Sequence, residues 1–286
     1  MASARDFQRQ INTVKNQARV FSALQTVSSV KFRKAEARVR RARPYAENVE
    51  QMMRDVAGNA SGDLPLLTGR EVRRLAVCTL TADRGLAGGF NAQVLRRTVR
   101  LRDEKDPGAL QVASGRKAVA FFRFRRVELA EVFTGFTDNP TYDKAREIGR
   151  ALTHLFDEEE ADEVYLVYNR FESVLNQRPV VKRLLPVARE EDDEEGNGTS
   201  YIEYVPDAET VLKRLVPRYV ETMVWQALLE GAAGEHGARM TAMKNATDNA
   251  NDLVRDLTLQ MNKARQAQIT QEILEIVGGA EALSAG

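Results

Sequence analysis

The sequence predicts an α/β fold in which the N- and C-terminal helices form a long antiparallel coiled coil beside a central, mostly parallel sheet domain. Three observations carry this. Residues 2–43 contain neither glycine nor proline, and residues 238–277 are also free of both. Within each stretch an apolar seam recurs at alternating spacings of three and four. Between the two, short apolar runs alternate with amphipathic segments, the pattern of strands joined by crossover helices.

The first seam runs through Phe7, Ile11, Val14, Ala18, Phe21, Gln25, Ser28, Phe32, Ala35, Val39 and Ala42. Pro44 follows, with helix resuming through Tyr45–Ala57, since proline is tolerated in a first helical turn. Arg74–Leu80 (RLAVCTL) reads as a buried strand, followed by a glycine-rich turn and a helix over 91–102. Ala109–Ala113 is a weaker strand, Arg116–Phe124 a short helix and Val127–Phe133 a third strand. Tyr142–Phe156 reads as a helix and Val164–Tyr168 as a strong strand. Val180–Val187 adds an edge strand bounded by Pro179 and Pro186. The acidic stretch ending at Gly196–Ser200 is a solvated loop.

A C-terminal helix starts near Asp207 and is disturbed at Pro217. Gly231, Gly234 and Gly237 permit close approach of another helix or mark a bend. Its seam passes through Met243, Ala246, Ala250, Leu253, Leu257, Gln260, Ala264, Ala267, Gln271 and Leu274. A helix of about 40 residues is roughly 60 Å long, so two such seams pair most simply with each other as an antiparallel rod. The domains expected are a coiled-coil helix at 1–57, an α/β domain at 70–190, an acidic loop and foot at 191–206, and a coiled-coil helix at 207–286.

Composition narrows the function. The 286 residues are 43% hydrophobic and 29% charged, with a net charge of +1. That balance hides a basic stretch at 31–43 and acidic runs at 157–163 and 190–195, which suggests separate contact surfaces. Cys78 is the only cysteine, so an intrachain disulfide and a cysteine metal cluster are excluded, and a reducing compartment is expected. The N-terminus lacks the apolar core of a signal peptide, and no apolar run approaches the ~20 residues that span a bilayer. Work at a membrane would therefore depend on partners.

No enzyme constellation emerges. The turn Thr81–Asn91 (TADRGLAGGFN) sits where a phosphate cradle would, but its glycines give G-x-x-G-G and no lysine–serine pair follows. It reads instead as a tight turn with Asn91 capping the helix. His154 lies in an amphipathic helix and His236 between glycines, without the ligand pattern of a metal site. Cys78 reads as a buried small hydrophobe and the carboxylate runs as solvated surface. No catalytic residue, cofactor or metal is expected. The stretch 31–43 has Phe32 as its one aromatic, so it reads as the charged outer face of a helix meeting protein surfaces rather than nucleic acid.

The segment Ala238–Leu283 reads ARMTAMKNATDNANDLVRDLTLQMNKARQAQITQEILEIVGGAEAL. It resembles very closely the signature of the γ subunit of F-type ATP synthases, and TADRGLAGGFN at 81–91 and ARPY at 42–45 match two further segments of that family. The resemblance covers essentially the whole chain. It implies an antiparallel coiled coil inside a ring of alternating α and β subunits, and a Rossmann-like domain outside on a foot contacting the ε subunit and the membrane ring of c subunits. It also implies a rotor without its own chemistry, peripheral to the cytoplasmic face of a bacterial inner membrane and coupling proton flow to ATP synthesis. By the same resemblance Arg265 and Gln266 of KARQ would hydrogen-bond a β-subunit loop. Thr270 and Glu272 of ITQE would contact the ring further along, and Tyr204 would approach the c ring. Residues 19–24 (RVFSAL) depart from the family's K-I-T-K-A-M, which removes a lysine at Ser22 and a methionine at Leu24. The regulatory cysteine pair of the chloroplast form is also missing, so thiol switching is not expected.

Overall fold

The computed structural model describes residues 4–59, 69–174, 176–187 and 208–284. In chain order these form α1 (Ala4–Asn59), β1 (Leu75–Leu80), α2 (Phe90–Lys105), β2 (Leu110–Ser114), α3 (Arg116–Phe124), β3 (Leu129–Phe133), α4 (Tyr142–Asp157), β4 (Glu163–Phe171), β5 (Gln177–Leu185) and α5 (Ala208–Ser284). The stretch expected to form an acidic loop and foot lies outside the described residues, and Tyr204 with it. The fold is the mixed α/β architecture expected, with long terminal helices. The chain divides into two compact units, one of residues 28–239 and one of residues 1–27 with 240–286.

In the larger unit the strand order is β3-β2-β1-β4-β5. The first four strands are parallel and β5 is antiparallel to β4. All six residues of β1 are buried, as a near-continuous apolar run in the middle of a parallel sheet requires. The two-residue side-chain period then divides the core. Leu75 and Val77 pack with Val94 and Leu101 of α2. Ala76, Cys78 and Leu80 face α4, the α1 residues Ala46–Val56 and the α5 residues Leu212–Leu228. Ile148 and Leu152 of α4 are fully buried, each contributing about 1.5–3 kcal/mol. Helices α4 and α5 approach so closely at Gly149 that a Cβ there would lie 3.2 Å from the Glu221 Cα.

Within this unit α1 and α5 run antiparallel. Gly237 lies against the Phe32 ring, while further along Arg43 reaches Glu230 at 3.5 Å. Two expectations need correction here. Pro44 and Pro217 lie inside continuous helices and interrupt neither. A helical proline costs ~3 kcal/mol, and here it is offset by neighbours that are almost fully buried: Met53 and Val49 after Pro44, Val216 and Val220 around Pro217. Pro179 lies within β5 rather than before it, paired with Asn169 on the sheet edge, where a missing N–H leaves no neighbour strand unbonded. The basic stretch of α1 also serves the chain itself, since Lys31 pairs with Asp138 and Arg38 donates to Asn139 and to the Pro140 carbonyl.

In the smaller unit, Ile11 and Ala18 of α1 and Met243, Ala250 and Leu257 of α5 are buried. Ala18, Ser22 and Thr26 share a shallow groove with Thr247 and Asn251. Every seam position predicted in α1 is buried or half-buried along its whole length. The α5 seam follows prediction to Ala250 and then shifts. Leu253 is 46% exposed, and Val254 and Met261 turn inward instead of Leu253 and Gln260. Two successive four-residue steps, 246 to 250 to 254, correct the drift of a straight helix against a seven-residue repeat. From Arg265 to Ala280 every residue is exposed.

Candidate functional site

Two regions gather the residues that sequence or structure singles out. The first is the uncovered part of α5. Arg265, Gln266, Thr270 and Glu272 all lie there, exposed. Helical spacing puts Arg265 and Glu272, seven apart, on one side, and Gln266 and Thr270, four apart, on the next. Between these sides run Ile269, Ile273 and Ile276, exposed by 44%, 54% and 72%. The polar groups hold one another only within the helix: Thr270 Oγ1 donates to the Gln266 carbonyl at 3.0 Å, and Gln268 Nε2 donates to Glu272 Oε1 at 2.9 Å. The result is an amphipathic face, apolar in its middle and charged along its border, presented to solvent.

The second region, in the larger unit, is built on the glycine turn that follows β1. Leu86 and Gly88 take left-handed backbone conformations, with φ of 62° and 53°. Asn91 does not cap α2. Helix α2 opens at Phe90, one residue earlier, and the Asn91 carboxamide accepts from the Ala82 N–H at 2.8 Å, bracing the turn from inside the helix. Asp83 accepts four bonds: Arg116 N at 3.0 Å, Gly135 N at 2.9 Å, and Thr137 N and Oγ1, both at 3.1 Å. Burial pushes its carboxyl up, but the Gly135, Thr137 and Arg116 amides outweigh that and hold it below the usual range. Arg116 opens α3, so the chain's own carboxylate fills the anion position at that helix N-terminus. Gly115, with φ of 91°, passes so close to the turn that a Cβ would sit 2.1 Å from the Thr81 carbonyl oxygen.

A residue on α5 locks the turn. Arg239 donates to the Gly85 carbonyl through Nε and Nη2, both at 3.1 Å, and pairs through Nη2 with Glu235 at 2.5 Å. His236 is 1% exposed, with Nε2 3.2 Å from the Asp138 carbonyl and Nδ1 3.5 Å from Arg239. Sequence reading set His236 aside and did not single out Asp83, Glu235 or Arg239. The available signal was the spacing of Glu235 and Arg239, four apart on one helix face. Cys78 is fully buried within β1, as expected of a small hydrophobe, and burial pushes its thiol up to about 12. His154 lies on α4 beside an open cavity at the start of β2 and β3. Among the described residues no group of His, Cys, Asp and Glu is arranged to hold a metal, and no helix is long and apolar enough to cross a membrane.

A sheet domain braced by the inner stretches of two terminal helices, with an exposed stripe of isoleucines on α5, is a build suited to contact with other chains. The family profile described as ATP synthase matches residues 3–283. The chain is 68% identical to the ATP synthase gamma chain of Rubrobacter xylanophilus over the whole of both chains. It is 48% identical to that of Moorella thermoacetica over 99% of this chain and 100% of the relative. Among solved structures, a chain of the Euglena gracilis mitochondrial ATP synthase OSCP/F1/c-ring assembly shares the fold with a TM-score of 0.71 at 19% identity, over 99% of this chain and 95% of that one. One from the Tetrahymena thermophila mitochondrial ATP synthase central stalk/c-ring gives 0.60 at 21% identity, over 79% and 99%. The chain belongs to the ATP synthase family, among its gamma chains.

Proposed function

We propose that this chain is the rotor of an F-type ATP synthase, turning with a membrane ring of c subunits as protons flow and driving ATP synthesis in a ring of α and β subunits. The observation that carries the reading is end-to-end similarity to a gamma chain, 68% over the full length. The rotor enters the α/β ring with its paired terminal helices and meets the ε subunit and the c ring through the foot, residues 191–206 with Tyr204. It is a peripheral protein on the cytoplasmic face of a bacterial membrane, held there by those partners. Nucleotide chemistry belongs to the ring. In keeping with this, the anion position at the start of α3 is already filled by Asp83, and Cys78 is buried with its thiol protonated.

Arg265, Gln266, Thr270 and Glu272 are the proposed contacts with the ring. Arginine offers a rigid fork of donors suited to a carboxylate, and glutamine offers both donor and acceptor. A charge-assisted bond shielded by the ring contributes about 1.5–3 kcal/mol, around ten- to a hundredfold in a rate if formed mainly at a transition state. Arg265→Ala combined with Gln266→Ala is therefore expected to leave assembly intact and to lower ATP turnover per complex at least severalfold. The measurement is turnover normalised to subunit stoichiometry in the same sample. Unchanged turnover and proton pumping would assign these two residues to plain helix polarity.

A further inference from the structure

His236 sits among charges contributed by every element around it. Lys31, Lys34 and Arg38 face it from α1, Asp138 from the loop after β3, and Arg239 from α5 itself, while the turn residues Arg84 and Asp83 act on its neighbours Asp138 and Glu235. The ring geometry fixes its protonation. With the proton on Nε2, the ring donates to the Asp138 carbonyl at 3.2 Å and its Nδ1 lone pair faces the Arg239 guanidinium at 3.5 Å. The other neutral tautomer would set an N–H against the guanidinium and a lone pair against the carbonyl. The doubly protonated ring keeps the Asp138 bond but loses the acceptor that faces Arg239, and opposes one cation to another.

A second destination waits for the charged ring. Asp138 Oδ1, 3.6 Å from His236 Nε2, is buried and has no hydrogen-bond partner among the described residues, while Oδ2 pairs with Lys31. A cavity of about 300 Å³ lined by Lys31, Lys34, Arg38, Asp138 and His236 gives a proton access and the ring room to move. We propose that His236 is a positioning residue that, while neutral, holds Arg239 on the Gly85 carbonyl, and that protonation draws the ring toward Asp138 and loosens Arg239 from the 81–91 turn. Helix α5 and the turn are thus joined by a latch that acid weakens. Nothing in this depends on the partners assigned above, so it is tested on the full chain alone.

The direction of the effect follows from the surroundings. Burial, Arg239 and Lys31 disfavour the charged ring and together outweigh Asp138, so His236 titrates below its ordinary value of 6.5. The stability it supplies is fully present above about 6.5 and is lost as pH falls from there toward the lower folded value. Glu235, whose carboxyl burial pushes up against the opposing pull of Arg239, is a second titratable group at the latch, so a control that retains Glu235 is required. His236→Gln is that control, because a carboxamide accepts from Arg239 and donates to the Asp138 carbonyl without titrating.

The test is amide hydrogen exchange of residues 84–90 between pH 7.5 and 5.0, corrected for intrinsic exchange rates. Protection in the wild type is expected to fall at least threefold further than in His236→Gln. Equal pH dependence in the two proteins would overturn the proposal. Should the variant not fold, the wild type still decides by NMR titration of its imidazoles, since His154 is the only other histidine. Turn protection that falls with the His236 titration supports the latch; a His236 that titrates while the turn stays protected refutes it.

Discussion

Asp83 is one residue whose neighbours define a measurable contribution. Its carboxylate accepts two backbone bonds from loop residues and one from the first residue of α3, so truncation leaves those amides without their acceptor. Bonds to a charged acceptor are worth about 1.5–3 kcal/mol, and Asp83→Ala is expected to lower the urea-unfolding free energy by about 2–3 kcal/mol. Because the folded carboxyl titrates below its ordinary 3.8, the deficit should be constant from pH 8 to 5 and shrink only as pH falls below about 4. A deficit that already shrinks between pH 7 and 5 would mean the carboxylate is not held by these amides. This network was not legible in the sequence, because Gly135 and Thr137 lie more than fifty residues away from Asp83 and meet it only through sheet topology. The same distance explains Asn91. A residue at the start of a helix reads as a cap, and only the folded turn places the Ala82 N–H within its reach.

Among the elements, α5 carries the sharpest contrast. Three of its glycines, Gly231, Gly234 and Gly237, are evenly spaced in sequence, yet their surroundings differ. A Cβ on Gly234 would lie 2.9 Å from the Phe90 ring and 3.1 Å from Gln177, whereas one on Gly231 would meet nothing within 4 Å. Gly231→Ala is therefore expected to stabilise the chain by about 0.5–1 kcal/mol, the ordinary helix-propensity gain. Gly234→Ala should destabilise it despite the same gain, because the aromatic ring must shift. Thermal unfolding of the two variants side by side checks this, and a shared sign would show that packing at Gly234 is looser than the distances indicate. Close approach was one of two readings open for these glycines, and the absence of a break in α5 decides for it at Gly234. Element type was legible because the apolar period switches cleanly between two and 3.6 along the chain. The prolines misled because their local cost was visible in sequence, while the burial of Met53, Val216 and Val220 that offsets it was not.

For the molecule as a whole, both terminal seams were legible because mostly apolar residues recur at alternating spacings of three and four over many turns. Where their pairing ends was not, since that depends on which partner residues are present to cover the last turns. The exposed stripe of Ile269, Ile273 and Ile276 is the consequence. An apolar surface of this kind favours association, so the isolated chain should bind a hydrophobic dye and self-associate more than the double variant Ile273→Glu, Ile276→Glu. Light scattering and dye fluorescence at matched concentration measure it, and indistinguishable behaviour would mean that the stripe is too narrow to matter. Cys78 bears on the whole chain in a different way. It is the only thiol, it is sealed inside the sheet, and its thiolate is almost absent at neutral pH. A maleimide dye therefore finds no native target on the folded protein. A single cysteine introduced at any exposed position becomes its sole labelling point, which makes the natural sequence ready for single-molecule fluorescence without prior removal of a residue.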